Sequence, residues 1–91
     1  DAAGEAFDKG AQMLGLEYPG GPAIDRLARQ GNPQAIGFPK SRLKKGSLDF
    51  SFSGVKTSLL YTVQAMPEQS RRVKAADLAA GYHEAIVTIL V

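Results

Sequence analysis

A chain of 91 residues allows one small domain with a modest core, and 44% hydrophobic against 22% charged residues excludes wholesale disorder. The net charge of +2 is too small to name a partner, while the lack of cysteine excludes disulfides and thiolate metal sites and fits a reducing compartment. No apolar run approaches the roughly 20 residues of a membrane span and no basic-then-apolar leader opens the chain, so a soluble, cytoplasmic protein with no membrane partner is expected.

From Asp1 to Leu14, Ala3, Phe7, Ala11 and Leu14 fall at helical spacing. Asp1, Glu5, Asp8 and Gln12 form the neighbouring polar stripe. Gly15 suits the C-terminal cap. On spacing alone, the Asp8 stripe reads as a solvated face.

Next comes Tyr18-Pro19-Gly20-Gly21-Pro22-Ala23-Ile24-Asp25. Pro19 biases Tyr18 toward an extended backbone, and Pro22 is suited to the first turn of a helix. A tight turn feeding a helix follows, with unpaired N–H groups and the positive end of the helix dipole at its start. The paired glycines carry no side chain to hold a ligand off, so a nucleotide or ribose fits this position. Asp25 in the first turn either complements the dipole or accepts hydrogen bonds from a hydroxylated ligand. The helix is expected from Pro22 to Gln30, with Ile24 and Leu27 buried and Gly31-Asn32-Pro33 as its stop.

The period then changes. Ile36 and Phe38, and after them Leu48, Phe50 and Phe52, alternate with small or polar residues, which predicts two short strands in a hairpin around Pro39 to Ser47. That loop carries Lys40, Arg42, Lys44 and Lys45, either as a solvated cluster or as a contact for a phosphate backbone. Ser51 or Ser53 is expected to cap a third helix that starts near Gly54, carries Val55, Leu59, Leu60 and Val63 and fades at Met66-Pro67. Within it, Ser53-Gly54-Val55-Lys56 has the S-x-x-K form of penicillin-recognising enzymes without their other elements, and Gly54 to Thr57 lacks the glycine spacing of a P-loop. Glu68 to Lys74 reads as a loop or frayed turn.

A fourth helix is expected from Ala75 to the end, with Leu78, Tyr82, Ile86 and Leu90 on one face and Ala79, Ala85 and Ile89 widening it. His83, the only histidine, builds neither a catalytic relay nor a multi-histidine metal site and reads as an ordinary helical residue. The expected class is therefore mainly α, with about four helices and a short β-hairpin. The chain opens on a helical pattern without an initiator Met and closes on an uncapped apolar run, which reads as a piece excised from a longer protein.

Three blocks together resemble one family: Asp1-Ala2-Ala3-Gly4-Glu5-Ala6-Phe7-Asp8-Lys9, Tyr18-Pro19-Gly20-Gly21-Pro22, and Leu48-Asp49-Phe50-Ser51-Phe52-Ser53-Gly54-Val55-Lys56-Thr57. They are similar to the tRNA adenosine threonylcarbamoyltransferases, formerly labelled O-sialoglycoprotein endopeptidases or glycoproteases. The resemblance implies that the 91 residues are a single nucleotide-facing helical segment of a two-domain protein with an actin/Hsp70/sugar-kinase-like α/β fold. It also implies transfer of a threonylcarbamoyl group from threonylcarbamoyl-adenylate to the adenosine beside the tRNA anticodon. By the same resemblance, Asp8, Gly21 and Asp25 hold the adenylate. A divalent metal, iron or zinc, would be held by an upstream H-x-x-x-H pair and a downstream Asp, none of which lies in this chain. The segment alone is then expected to be catalytically silent, with no catalytic or metal residue of its own, and the full-length protein to work with accessory proteins. Two rival readings are the older metallopeptidase label and a non-catalytic helical module whose last helix docks a partner or a second copy of the fragment.

Overall fold

The computed structural model describes residues 2–38 and 48–90. Five helices occur among them: α1 (Ala2–Met13), α2 (Gly20–Ala28), α3 (Leu48–Ala65), α4 (Glu68–Val73) and α5 (Ala75–Leu90). α5 is the centre of the assembly. α2 packs on α1 and α5, α3 packs on the same two helices, and the short α4 touches α5. The core is built from Tyr82, Leu78 and Ile86 of α5, Phe52, Val55 and Leu59 of α3, and Ile24 of α2, all essentially inaccessible.

The expected β-hairpin is absent: the described residues contain no strand. Leu48, Phe50 and Phe52 lie in the first turns of α3, which begins six residues ahead of its expected start at Gly54 and runs straight through Ser51 and Ser53. The competing pattern is the longer one. Leu48, Phe52, Val55, Leu59 and Val63 are spaced at four, three, four and four residues, a helical stripe that shares Leu48 and Phe52 with the alternating set. Phe52 is 2% exposed and Phe50 78%, whereas a strand would have turned both toward one face. A two-stranded hairpin is marginal in water, and the longer stripe buries four side chains against α1 and α5. The expected loop Pro39 to Ser47, with Lys40, Arg42, Lys44 and Lys45, lies outside the described residues.

Ile36 and Phe38 belong to an irregular segment laid over α5. Asn32 starts it by donating its N–H to Asp77 Oδ1 at 2.8 Å, and the Gln34 N–H returns to Asn32 Oδ1 at 2.9 Å. Phe38 then meets Tyr82 edge-on, 6.2 Å between ring centroids. Side-chain anchoring and one aromatic pair do here what a strand partner was expected to do. The helix count is also corrected, because Glu68 to Val73 forms α4. With no sheet among the described residues, the actin/Hsp70/sugar-kinase-like α/β expectation finds no element of this segment to rest on.

α1 turns a different edge to the core than Ala3, Phe7 and Leu14 suggested. Its most buried residues are Ala6, Gly10 and Ala11, with Phe7 and Leu14 packed at the margin. The cause is Tyr82, whose hydroxyl donates to the Ala6 carbonyl at 2.7 Å and whose ring lies where a Cβ on Gly10 would be, 2.3 Å from Cε2. Burial raises the pKa of that phenol well above the ordinary tyrosine range.

Candidate functional site

The site begins where α1 ends. Leu16 donates its N–H to the Ala11 carbonyl at 2.8 Å and Gly15 to Gln12 at 3.1 Å, with Gly15 at φ 74°. This pair of bonds closes α1 as the sequence predicts and turns the chain back along it. Tyr18 follows, 82% exposed, joined to Pro19 by a cis peptide bond. Pro19 has extended backbone angles and offers no side-chain cap. α2 therefore starts at Gly20, two residues before the expected Pro22.

The missing cap comes from another helix. Gly20 donates its N–H to Asp8 Oδ1 at 2.9 Å, so the α1 carboxylate satisfies a first-turn donor of α2 and sits at the positive end of its dipole. Such a bond demands a close approach. A Cβ on Gly20 would lie 2.6 Å from both Asp8 Cα and the Phe7 carbonyl oxygen. Gly21 differs: its nearest neighbour would be Phe7 Cβ, at 3.9 Å, and its φ is not positive. Nothing in the packing of Gly21 requires a glycine. Pro22 has no N–H and Ala23 donates to the Pro19 carbonyl at 3.4 Å, which leaves Gly21 as the first-turn donor with no carbonyl behind it in the helix.

Asp25 stands one turn further along α2, on the side of Gly21. Its carboxylate is shared. Oδ2 accepts from the Arg29 guanidinium at 3.0 Å, and Oδ1 lies 3.6 Å from His83 Nε2 of α5. The His83 ring also packs against Phe7, 5.7 Å between centroids.

Two concavities flank this ridge and have no lining residue in common. The first, about 340 Å³, has Asp8, Gln12, Tyr18 and Gly20 in its wall. The second, about 320 Å³, is lined by Asp25, Arg29, Ala80, His83 and Val87 among others. Of the expected site residues, Asp8 is thus joined to the glycine turn through Gly20. Gly21 lies on the ridge, and Asp25 faces the second concavity. Sequence reasoning passed over two residues here. Gly20 was signalled only as half of a glycine pair, and His83 carried no signal, because its pairing with Asp25 spans 58 positions.

Among the described residues no group of three or more His, Cys, Asp or Glu side chains is placed to hold a metal ion. No described helix is long and apolar enough to cross a membrane.

Over residues 1–91 the sequence matches the family described as tRNA N6-adenosine threonylcarbamoyltransferase. The chain belongs to that family. A tRNA N6-adenosine threonylcarbamoyltransferase of Anaeromyxobacter dehalogenans is 61% identical over 93 residues, covering 100% of this chain and 27% of its own length. Proteins of the same name from Desulfitobacterium hafniense and Moorella thermoacetica are 55% and 50% identical over 91 residues, again covering 100% of this chain and 27% of theirs. The chain thus spans about a quarter of the length of these threonylcarbamoyltransferases, and the resemblance read from its three blocks is borne out across the whole of it.

Proposed function

We propose that this chain is the adenylate-facing helical segment of a tRNA-modifying transferase. In the full-length protein a threonylcarbamoyl group would pass from threonylcarbamoyl-adenylate to the exocyclic nitrogen of the adenosine beside the anticodon. Asp8, Gly21 and Asp25 would hold the adenylate. The observation that carries the reading is the contrast within the glycine pair. Gly20 lacks a side chain because α1 lies against it, while Gly21 has room for one, has ordinary backbone angles, and keeps an N–H with no intrahelical partner. Glycine in a helix costs about 0.5–1 kcal/mol relative to alanine, so its presence where packing permits a side chain is accounted for by a ligand that comes close to the main chain.

Within this reading the ribose or phosphate rests on the Gly21 N–H. Asp8 keeps its second oxygen for a ligand hydroxyl while the first holds Gly20, and Asp25 receives another hydroxyl from the far side of the ridge. What the residues supply is placement of the adenylate, which lowers the entropic part of the barrier to transfer. The full-length protein would use a divalent metal, iron or zinc, held outside this segment, and would act on tRNA with accessory proteins in the cytoplasm.

The test is Gly21→Val in a full-length family protein carrying this sequence. Calorimetric titration with AMP is expected to lose measurable binding while the urea unfolding midpoint stays within error of the parent. Undiminished AMP affinity would remove the assignment.

A further inference from the structure

His83 stands outside the family resemblance, yet it is the residue through which three helices meet at Asp25. From α5 its Nε2 lies 3.6 Å from Asp25 Oδ1 on α2, and its ring leans on Phe7 of α1 at 5.7 Å with the planes 43° apart. Phe7 Cβ is in turn the atom nearest to where a side chain on Gly21 would sit. The imidazole thus packs at a tilt against Phe7, the support of Gly21, and brings its Nε2 toward the carboxylate of Asp25.

The other neighbour of Asp25 is a poorer anchor. Arg29 is on the same helix four residues on, its side chain is 77% exposed, and such solvated pairs hold little geometry. His83 is 34% exposed and fixed by the Phe7 contact, so it has far fewer orientations to lose. Left to Arg29 alone, the carboxylate would follow a mobile guanidinium down the helix, away from Gly21.

We propose that His83 is a positioning residue for ligand binding. Its Nε2 keeps Asp25 Oδ1 turned across α2, where a ligand seated on Gly21 presents a hydroxyl, and its ring keeps Phe7 in place beside that seat. The inference rests on the reading of Asp25 and Gly21 as adenylate-binding residues. His83 itself contacts no reacting atom.

The experiment uses a full-length family protein carrying this sequence, with AMP as the titrant. His83→Ala is expected to weaken AMP binding by about 3- to 10-fold, the scale of one lost polar coupling. His83→Gln, which restores an N–H at comparable reach, is expected to recover affinity to within about twofold. In a double-mutant cycle, His83→Ala added to Asp25→Ala should weaken binding no further than Asp25→Ala alone, because a residue acting through the Asp25 carboxylate has nothing left to position. A merely structural His83 would weaken both backgrounds equally and would not be rescued by Gln. Unaltered affinity in His83→Ala, or additive losses in the double variant, would overturn the role of His83 while leaving the site standing. If Asp25→Ala and Gly21→Val themselves left AMP binding intact, the site would fall and the role of His83 with it. Should His83→Ala lower the unfolding midpoint, the comparison of His83→Gln with and without Asp25→Ala decides in its place: equal affinities in the Asp25→Ala background support the role, and a further loss refutes it.

Discussion

Replacing Gly20 by alanine adds one methyl group at the tightest contact between α1 and α2. That Cβ would sit 2.6 Å from Asp8 Cα and from the Phe7 carbonyl oxygen, and 2.9 Å from Asp8 N. All three are backbone atoms of a helix, so no rotamer change makes room. α1 must move back by most of an ångström, and the 2.9 Å bond from the Gly20 N–H to Asp8 is stretched past a useful length. Overpacking costs about 1–3 kcal/mol and loss of a hydrogen bond to a charged group about 1.5–3 kcal/mol. The better helix propensity of alanine returns about 0.5–1 kcal/mol, for a net loss of about 2–5 kcal/mol. Gly21→Ala is the control, since its methyl would find its nearest neighbour at 3.9 Å. There the expected change is neutral to stabilising, by about 0.4–1 kcal/mol. Urea unfolding of a full-length family protein carrying each change, with hydrogen exchange followed in peptides spanning residues 2–13 and 20–28, separates the two. Equal midpoints and equal protection for the two variants would refute the reasoning.

Three further outcomes are expected. Phe52→Ala should cost about 3–5 kcal/mol in urea unfolding and Phe50→Ser, at a ring 78% exposed, clearly less, whereas a strand with both rings on one face would make the two losses similar. Tyr82→Phe should cost about 0.5–1.5 kcal/mol through the lost bond to the Ala6 carbonyl, and it should also change the alkaline limb of stability. Because burial raises the Tyr82 pKa above its unfolded value of about 10, the parent loses stability as pH climbs beyond that value, and the phenylalanine variant should lose less over the same range in a pH series of unfolding curves. Finally, Asp8→Ala should lower stability by about 0.5–2 kcal/mol as a lost helix cap, while Asp25→Ala, which gives up a solvated ion pair, should change it by less than about 1 kcal/mol. The same variants titrated with AMP should both bind more weakly, so that stability separates the two acids where affinity does not.

Much of this architecture was legible in the residues. The Gly15 cap, the turn through Pro19, the burial of Ile24 and the long apolar face of α5 all follow from local rules, since a positive-φ glycine, a fixed proline angle and a 3.6-residue period act within one element. The hairpin failed because Phe52 belongs to two patterns at once. A window of five residues shows alternation, and only the window out to Val63 shows the helical stripe that wins by burying more surface. Phe38 failed for another reason: its partner, Tyr82, is set by contacts between helices.

The site divides along the same line. By itself the sequence determined the family, through three blocks of residues, and determined that a turn through a glycine pair would lead into a helix, because backbone freedom and helix ends are local properties. Only the tertiary structure decided that Gly20 is held by packing and Gly21 is not, that Asp8 caps a helix it does not belong to, and that Asp25 is shared between Arg29 and His83. Those are distances between separate elements, set by how α1, α2 and α5 close on one another, and no spacing along the chain encodes them.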